Sequence, residues 1–414
     1  MALSVLCNAL SQAVPRGQLA SGTVWKLFCK TNARVNYVPA ATIVSIHSRD
    51  SDYKRAAPFP YKTKKYRLWR RLFESTSERF DENTKIIVVD GPPAVGKTKV
   101  AQKLAEDFDM HFIPEANMDM HYINSYGYDF RELDAKLPPG AQSVDEKKWC
   151  MSPDKVTSAN FQFHMYDLRF SQYIDALAHV FSTGQGVVMV RSVFSDLVFM
   201  EACFNEGYVS RKVKDGYYFV RRNTLKELLR PHLVVYLDMP VPAVQQRLKE
   251  RGHDYEVNGK ALTPSFLANL ENAYKKNCLP ALEQHAELLV YDWSNEADVD
   301  LVVEDIERLD FEKYTYYDEK MRDWLFFKEQ HIQDLRCKYA DYKNDLMQML
   351  NVPLPNCPEL YMDATEAAAF EEKYRNSPGN KYMDGFNMDM GDKVFWKFFD
   401  NFAKRTYPTS NTRA

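Results

Sequence analysis

Residues 1–49 contain no aspartate and no glutamate, although the chain as a whole carries 57 acids. No apolar run approaches the roughly 20 residues that a membrane-crossing helix requires. The seven cysteines are odd in number and widely spaced, with no C-x-x-C pair, which excludes a zinc-finger or disulfide framework and fits a reducing compartment. Net charge is only −3, so bulk charge gives no case for nucleic acid or an anionic surface. Glycine is scarce at 15, and no G-x-G-x-x-G dinucleotide fingerprint occurs anywhere. What the chain has in quantity is aromatic: 25 tyrosines and 25 phenylalanines. Such a content serves cores and contact surfaces alike.

The acid-free start is basic, through Arg16, Lys26, Lys30, Arg34 and Arg49, and rich in Ser and Ala. That is the signature of a mitochondrial transit peptide, with cleavage expected between residues 30 and 50. The chain then divides into a transit segment (1–45), a lead-in (46–84), an α/β domain (85–298) and a helical, aromatic-rich C-terminal extension (299–414). The basic stretch Tyr61–Arg71 in the lead-in reads as a solvated helix face.

The sharpest motif is Gly91-Pro92-Pro93-Ala94-Val95-Gly96-Lys97-Thr98. It matches G-x-x-x-x-G-K-[ST], follows the β-branched run Lys85–Asp90, and leads into the amphipathic stretch Val100–Phe108. Gly91 and Gly96 permit a wrapped backbone whose N–H groups face a phosphate. The following helix adds its positive dipole end. Lys97 is placed to reach the β- and γ-phosphates, and the Thr98 hydroxyl to meet Mg²⁺.

Further strand runs follow at Met110–Pro114, Gly186–Val190, His232–Leu237 and Glu287–Tyr291. Helices are expected near Phe161–Phe181, Ala243–Arg251 and Pro264–Gln284. Strand alternating with helix predicts an α/β fold: a P-loop NTPase-type parallel five-stranded sheet with helices on both faces. Ligands of such sheets lie at the carboxyl ends of the strands. Glu115 and Arg191-Ser192 therefore fall beside the P-loop. Asp238 reads as a cap for the helix that Pro240 and Pro242 introduce. Beyond residue 300, Val299–Leu309 and Asp318–Met349 read as helices. Tyr314–Tyr317 and Val394–Phe399 are aromatic clusters, suited to an interface or to packing on the core.

Over about residues 85–295 the chain resembles the deoxyribonucleoside kinase family. Glu115, after Pro114, stands where that family has the base for a sugar 5′-hydroxyl, with Arg191 beside it. Phe161 and Gln162 resemble its base-stacking and base-reading pair. Arg247–Glu256 resembles its arginine-rich lid, implying Arg251 as a phosphate contact and Glu256 as a nucleoside contact. The resemblance implies a bound purine (deoxy)nucleotide with Mg²⁺. Val190, however, stands where the family motif begins with an acid that helps hold Mg²⁺, and the lid retains only Arg247, Lys249 and Arg251. Glu115 is then the base or the vestige of one, and Gln162 a ligand contact or an ordinary polar helix residue.

A narrower resemblance rests on Arg191–Phe199, on Pro231–Pro242, on Asn272-Ala-Tyr-Lys-Lys276 and on Gly391–Lys397. These segments are similar to a kinase-like family of accessory subunits of mitochondrial respiratory complex I, which sit on the matrix side of the inner membrane. That family is described as binding FAD. The resemblance implies other complex I subunits as partners, with no nucleic acid and no direct membrane span. The leading expectation is a non-catalytic subunit with a retained nucleotide pocket. The alternative is an active mitochondrial deoxyribonucleoside kinase. A nucleotide-dependent switch lacks a recognisable switch segment.

Overall fold

The computed structural model describes residues 42–49, 55–66, 68–295 and 298–394. The expected import segment lies almost wholly outside the described residues, as does most of the Val394–Phe399 cluster and the end of the Gly391–Lys397 motif.

The five apolar runs form one sheet: β1 (Ile86–Asp90), β2 (His111–Ile113), β3 (Val187–Val190), β4 (Leu233–Asp238) and β5 (Glu287–Asp292). Their order is β2-β3-β1-β4-β5, and every neighbouring pair is parallel. β1 and β3 are buried at every position, which is why their sequences are continuous rather than alternating. β5, at an edge, is only partly covered. Val89 of β1 lies opposite Val190 of β3 and Val235 of β4. The chain therefore leaves all three strands at the same end of the sheet, and the P-loop shares that end with Arg191.

The helices that matter here are α1 (Lys97–Asp107), α2 (Lys155–Thr183), α3 (Leu197–Asn205), α4 (Arg211–Leu225), α5 (Val241–Arg251), α6 (Pro264–Ala273), α7 (Val299–Glu307), α8 (Glu329–Asp341) and α9 (Ala364–Arg375). α2 runs 29 residues. Asp154 caps it by accepting from the Val156 and Thr157 amides, and Gly184 ends it in the left-handed region at φ 76°. α8 lies against α2, so the C-terminal part packs back on the core. Phe181 of α2 stacks on Tyr339 of α8, and Lys343 reaches Asp175 at 2.7 Å.

Four expectations are corrected. The helix from Pro264 is interrupted by a π turn at Tyr274–Cys278 before it resumes at Leu279–Glu283. Pro280 offers no N–H and crowds the carbonyl four residues back, and the wide turn before it relieves both problems. Asp318–Met349 is not one helix, because 318–328 holds only the 3-10 turn Arg322–Trp324. There the side chains serve the 230 corner instead: Trp324 Nε1 donates to the Arg230 carbonyl at 2.7 Å, and Asp323 accepts from the Arg230 amide at 3.1 Å. The Tyr61–Arg71 stretch is no helix face. It forms only the 3-10 turn Leu68–Leu72, since Tyr66 turns inward to join Phe59 and Cys337. Asp238 does not cap α5, whose N-cap is Pro240 without a side-chain bond; it pairs with Lys275 at 2.9 Å.

Candidate nucleotide-binding site

The phosphate loop leaves β1 through Gly91 at φ 150°, where an added Cβ would stand 2.6 Å from the Leu237 carbonyl oxygen. Only glycine lets the loop pass so close to β4. Pro92, Pro93, Ala94 (φ 60°) and Val95 carry the chain round to Gly96 (φ 94°), the N-cap of α1. The first N–H groups of α1 have no partner within the helix and face the loop. Lys97 is buried, and its amine donates to the Pro92 carbonyl at 2.9 Å across the loop. Thr98, by contrast, is exposed at the mouth.

Glu115 and Arg191 close the floor. Arg191 Nε lies 3.3 Å from Glu115 Oε1 and 3.7 Å from Asp90 Oδ1, while Nη2 donates to the Gly91 carbonyl at 2.7 Å. Lys97 Nζ is 3.7 Å from Glu115 Oε2. Burial favours the neutral form of Glu115, but the charges of Arg191, Lys97, Arg169 and Arg251 outweigh it and hold the carboxyl at about 2. The same burial pushes the Lys97 amine down to about 8, against the pull of Glu115. Arg191 is held charged: its burial opposes that, and Glu115, Tyr274 and Asp90 overcome it. The Glu115 side chain keeps 35% exposure, so water at the mouth screens these charges.

Several participants escaped the sequence reading. Asp90 accepts from Tyr274 OH at 2.6 Å and from the Gly91 amide at 2.8 Å, fixing the start of the loop. Arg169 pairs with the buried Asp196, and both Arg169 and Arg191 lie over the Phe199 ring, at 5.0 and 4.5 Å. Arg169 is seven residues from Gln162, two turns along α2, so the helical period could have pointed to it. Tyr274 lies in the π turn, for which the sequence carries no period.

On the nucleoside side, Phe161 stacks on Trp149 with centroids 5.1 Å apart and planes at 14°. One face of its ring is thereby occupied by protein. Gln162 is 1% exposed, and its Oε1 has no hydrogen-bond partner. A buried acceptor of this kind is open to a donor from water or from a ligand. In the segment 247–256, Arg251 is exposed at 38% but not unpartnered. It makes a two-pronged pair with Glu256, at 2.9 and 2.5 Å. Arg247 is 3.9 Å from Glu250. The chain then returns to the short helix Glu146–Met151, which carries Trp149, and there the Lys260 and Ala261 amides donate to the Cys150 carbonyl at 2.8 and 3.1 Å. The structure thus gathers Gly91–Thr98, Glu115 and Arg191 into one cradle, with the charge of Arg251 felt there. Among the described residues no group of three or more His, Cys, Asp or Glu side chains could hold a metal ion.

A phosphate loop between β1 and α1, with a carboxylate–arginine pair on the neighbouring strand ends of β2 and β3, defines a P-loop α/β domain. Residues 87–323 match the family described as deoxynucleoside kinase. The chain is 36% identical over 326 residues to NADH dehydrogenase [ubiquinone] 1 alpha subcomplex subunit 10, mitochondrial, of Mus musculus, covering 78% of this chain and 87% of that protein. The Bos taurus protein of the same name is 34% identical, with 78% and 90% covered. Deoxyguanosine kinase of Dictyostelium discoideum is 25% identical over 276 residues, covering 66% and 86%. Deoxyadenosine kinase from M. mycoides with bound dATP superposes with a TM-score of 0.40 at 16% identity, over 54% of this chain and 98% of that one. The chain belongs to the deoxynucleoside kinase family, and within it to the family of the alpha subcomplex subunit 10 proteins.

Proposed function

We propose that the chain is a non-catalytic accessory subunit of mitochondrial complex I, on the matrix side of the inner membrane, that retains a pocket for a purine (deoxy)nucleotide. Relatives that are complex I subunits support the first part. Binding is supported by the phosphate cradle around Lys97 and by the unpartnered Gln162 acceptor. The absence of turnover rests on one observation. Val190 fills the end of β3 at 1% exposure, where the resemblance expects a carboxylate for Mg²⁺. Positioning and charge neutralisation do most of the work of phosphoryl transfer, and a valine contributes neither. A carboxyl held at about 2 is also a weak acceptor for a hydroxyl proton.

Phosphate and Mg²⁺ fit this cradle to different degrees. Lys97 and the α1 N-terminus suit phosphate oxygens; the metal would have Thr98 and the phosphates themselves. Asp90 spends Oδ1 on Tyr274 and the Gly91 amide, while its buried Oδ2 has no hydrogen-bond partner and would be a further oxygen for the metal. FAD does not fit the loop. A dinucleotide fingerprint needs glycines for close approach of the pyrophosphate, and Pro92, Pro93 and Ala94 stand between the two glycines here.

An active kinase is the second reading, favoured by the intact 3.3 Å pair of Arg191 and Glu115. Purified protein incubated with ATP, Mg²⁺ and a deoxynucleoside panel separates the two. We expect a purine nucleotide among the small molecules released on denaturation, and no phosphorylation. Robust phosphorylation that Glu115→Gln abolishes would overturn the non-catalytic reading. Activity gained only in Val190→Glu would support it.

A further inference from the structure

We propose that residues 62–66 and 68–73 form an interfacial wedge that docks the protein on an anionic lipid surface. Between Tyr61 and Phe73 the sequence holds Lys62, Lys64, Lys65, Arg67, Arg70 and Arg71 and no acid. This segment is +6 in a chain of net −3, so the remainder is −9. Bulk charge therefore opposes approach to an anionic bilayer, and outside the basic, acid-free residues 1–49 attraction depends on a local cluster such as this one.

The apolar residues at the same place are the most exposed large ones in the lead-in. Phe73 is 84% exposed, Leu72 80% and Trp69 55%. Trp69 and Leu72 are three apart in a 3-10 turn, which puts them on one side. Phe73 follows, and its amide donates to the Arg70 carbonyl at 3.1 Å. Side chains of this size normally turn inward, and grouped exposure of this kind marks a binding surface.

The base of the wedge is fixed. Tyr66 and Phe59 are buried edge-to-face at 5.7 Å. The Tyr66 amide donates to Asp341 at 3.2 Å, and Arg71 pairs with Asp334 at 2.6 Å, both residues of α8. The Arg70 guanidinium lies over Phe59 at 5.3 Å and over Trp69 at 5.0 Å, linking the lysine loop to the apolar tip. Lys62, Lys64 and Lys65 are exposed, and none takes part in an ion pair among the described residues.

Charge and shape together choose the occupant. The exposed cations call for a surface of uniform negative sign, and two adjacent, protruding apolar side chains call for a soft apolar layer just beneath it. A bilayer with anionic headgroups supplies both within a few ångströms. Tryptophan and snorkelling lysines suit the boundary between them. No helix among the described residues is long and apolar enough to cross a membrane, so the contact is peripheral. The inference rests on this surface alone, not on the nucleotide site.

The test is sedimentation of the full-length protein with vesicles of phosphatidylcholine containing one quarter cardiolipin, against phosphatidylcholine alone. We expect binding to the anionic vesicles only, weakening steeply with salt. Leu72→Ser/Phe73→Ser should weaken it at least tenfold. Lys62→Gln/Lys64→Gln/Lys65→Gln should do the same and flatten the salt dependence. Tryptophan emission should shift to the blue on binding, and Trp69→Phe should lose most of that shift. No binding by the parent, or equal binding by the parent and both variants, overturns the proposal. So does a parent that ignores vesicles while the same substitutions release it from a protein complex, because the occupant is then an acidic protein face.

Discussion

Arg191 Nε stands 3.3 Å from Glu115 Oε1, and Lys97 approaches the other oxygen of that carboxylate at 3.7 Å. Glu115 thus occupies, in the free chain, the charges that a phosphate would use. Glu115→Gln leaves Arg191 with Asp90 and the Gly91 carbonyl as partners. Because Glu115 is partly exposed, the loss is screened, and we expect only about 1 kcal/mol of destabilisation. Nucleotide affinity should be kept or rise several-fold, since a competitor for Lys97 is gone. Thermal unfolding with and without ATP reads both effects: Tm falls in the free protein, and the gap to the parent closes with ATP. Abolished ATP binding in the variant would make Glu115 a ligand contact instead.

Lys97 gives a pH dependence of definite sign. Burial lowers its amine to about 8, against about 10.4 in an unfolded chain. Between those values the unfolded state binds more protons, so this group's contribution to stability rises with pH. Binding runs the other way. A phosphate keeps the amine protonated, so affinity should fall as pH rises through 8, approaching tenfold per unit. Calorimetry of ATP binding at pH 7, 8 and 9, in buffers of different ionisation enthalpy, should show proton uptake appearing above pH 8. Affinity that is flat over this range would contradict the contact. At pH 7, Lys97→Ala should cost tenfold to a hundredfold, from about 1.5–3 kcal/mol for a charged hydrogen bond.

The two loop glycines should differ. A Cβ at Gly91 meets the Leu237 carbonyl at 2.6 Å, whereas one at Gly96 meets nothing within 4 Å. Gly96→Ala carries only the strain of a left-handed backbone, about 1–2 kcal/mol. Gly91→Ala carries strain and a backbone clash that neither β1 nor β4 can yield to. It should cost several kcal/mol and displace the loop. Urea unfolding ranks the pair, and equal midpoints would refute the distinction.

The sheet was legible because its inner strands β1, β3 and β4 are β-branched runs buried almost throughout, and the P-loop because its chemistry is contiguous in sequence. Legibility failed where tertiary partners override local pattern. Pro280 widens a helix that reads as continuous, and Trp324 and Asp323 spend their polar groups on Arg230. Tyr61–Arg71 looked solvated because its charges dominate the sequence, while Tyr66 within it is buried. Glu115 and Arg191 could be placed from strand ends. Asp90 and Tyr274 could not be paired, being 184 residues apart with the second in a π turn.

That buried aromatic base also tests what holds the C-terminal part in place. Arg336 is completely buried, 3.8 Å from the Tyr66 ring centroid and 4.6 Å from that of Phe59. Nη1 donates to Thr76 Oγ1 at 3.2 Å and lies 3.7 Å from Glu74, but Nε and Nη2 have no hydrogen-bond partner. Burial lowers its pKa, consistent with a charge that is imperfectly compensated. The residue therefore stabilises mainly by filling space between two rings, with cation–π attraction set against desolvation. Arg336→Ala should cost about 3–5 kcal/mol through the cavity and the lost contacts. Arg336→Met keeps most of the volume and sheds the desolvation cost. It should fall within about 1.5 kcal/mol of the parent. Glu74 keeps Arg70 and Arg79 as partners in either variant. Urea midpoints at unchanged slope decide the matter: a methionine variant as unstable as the alanine one would show that the charge itself, not the packing, joins α8 to the lead-in.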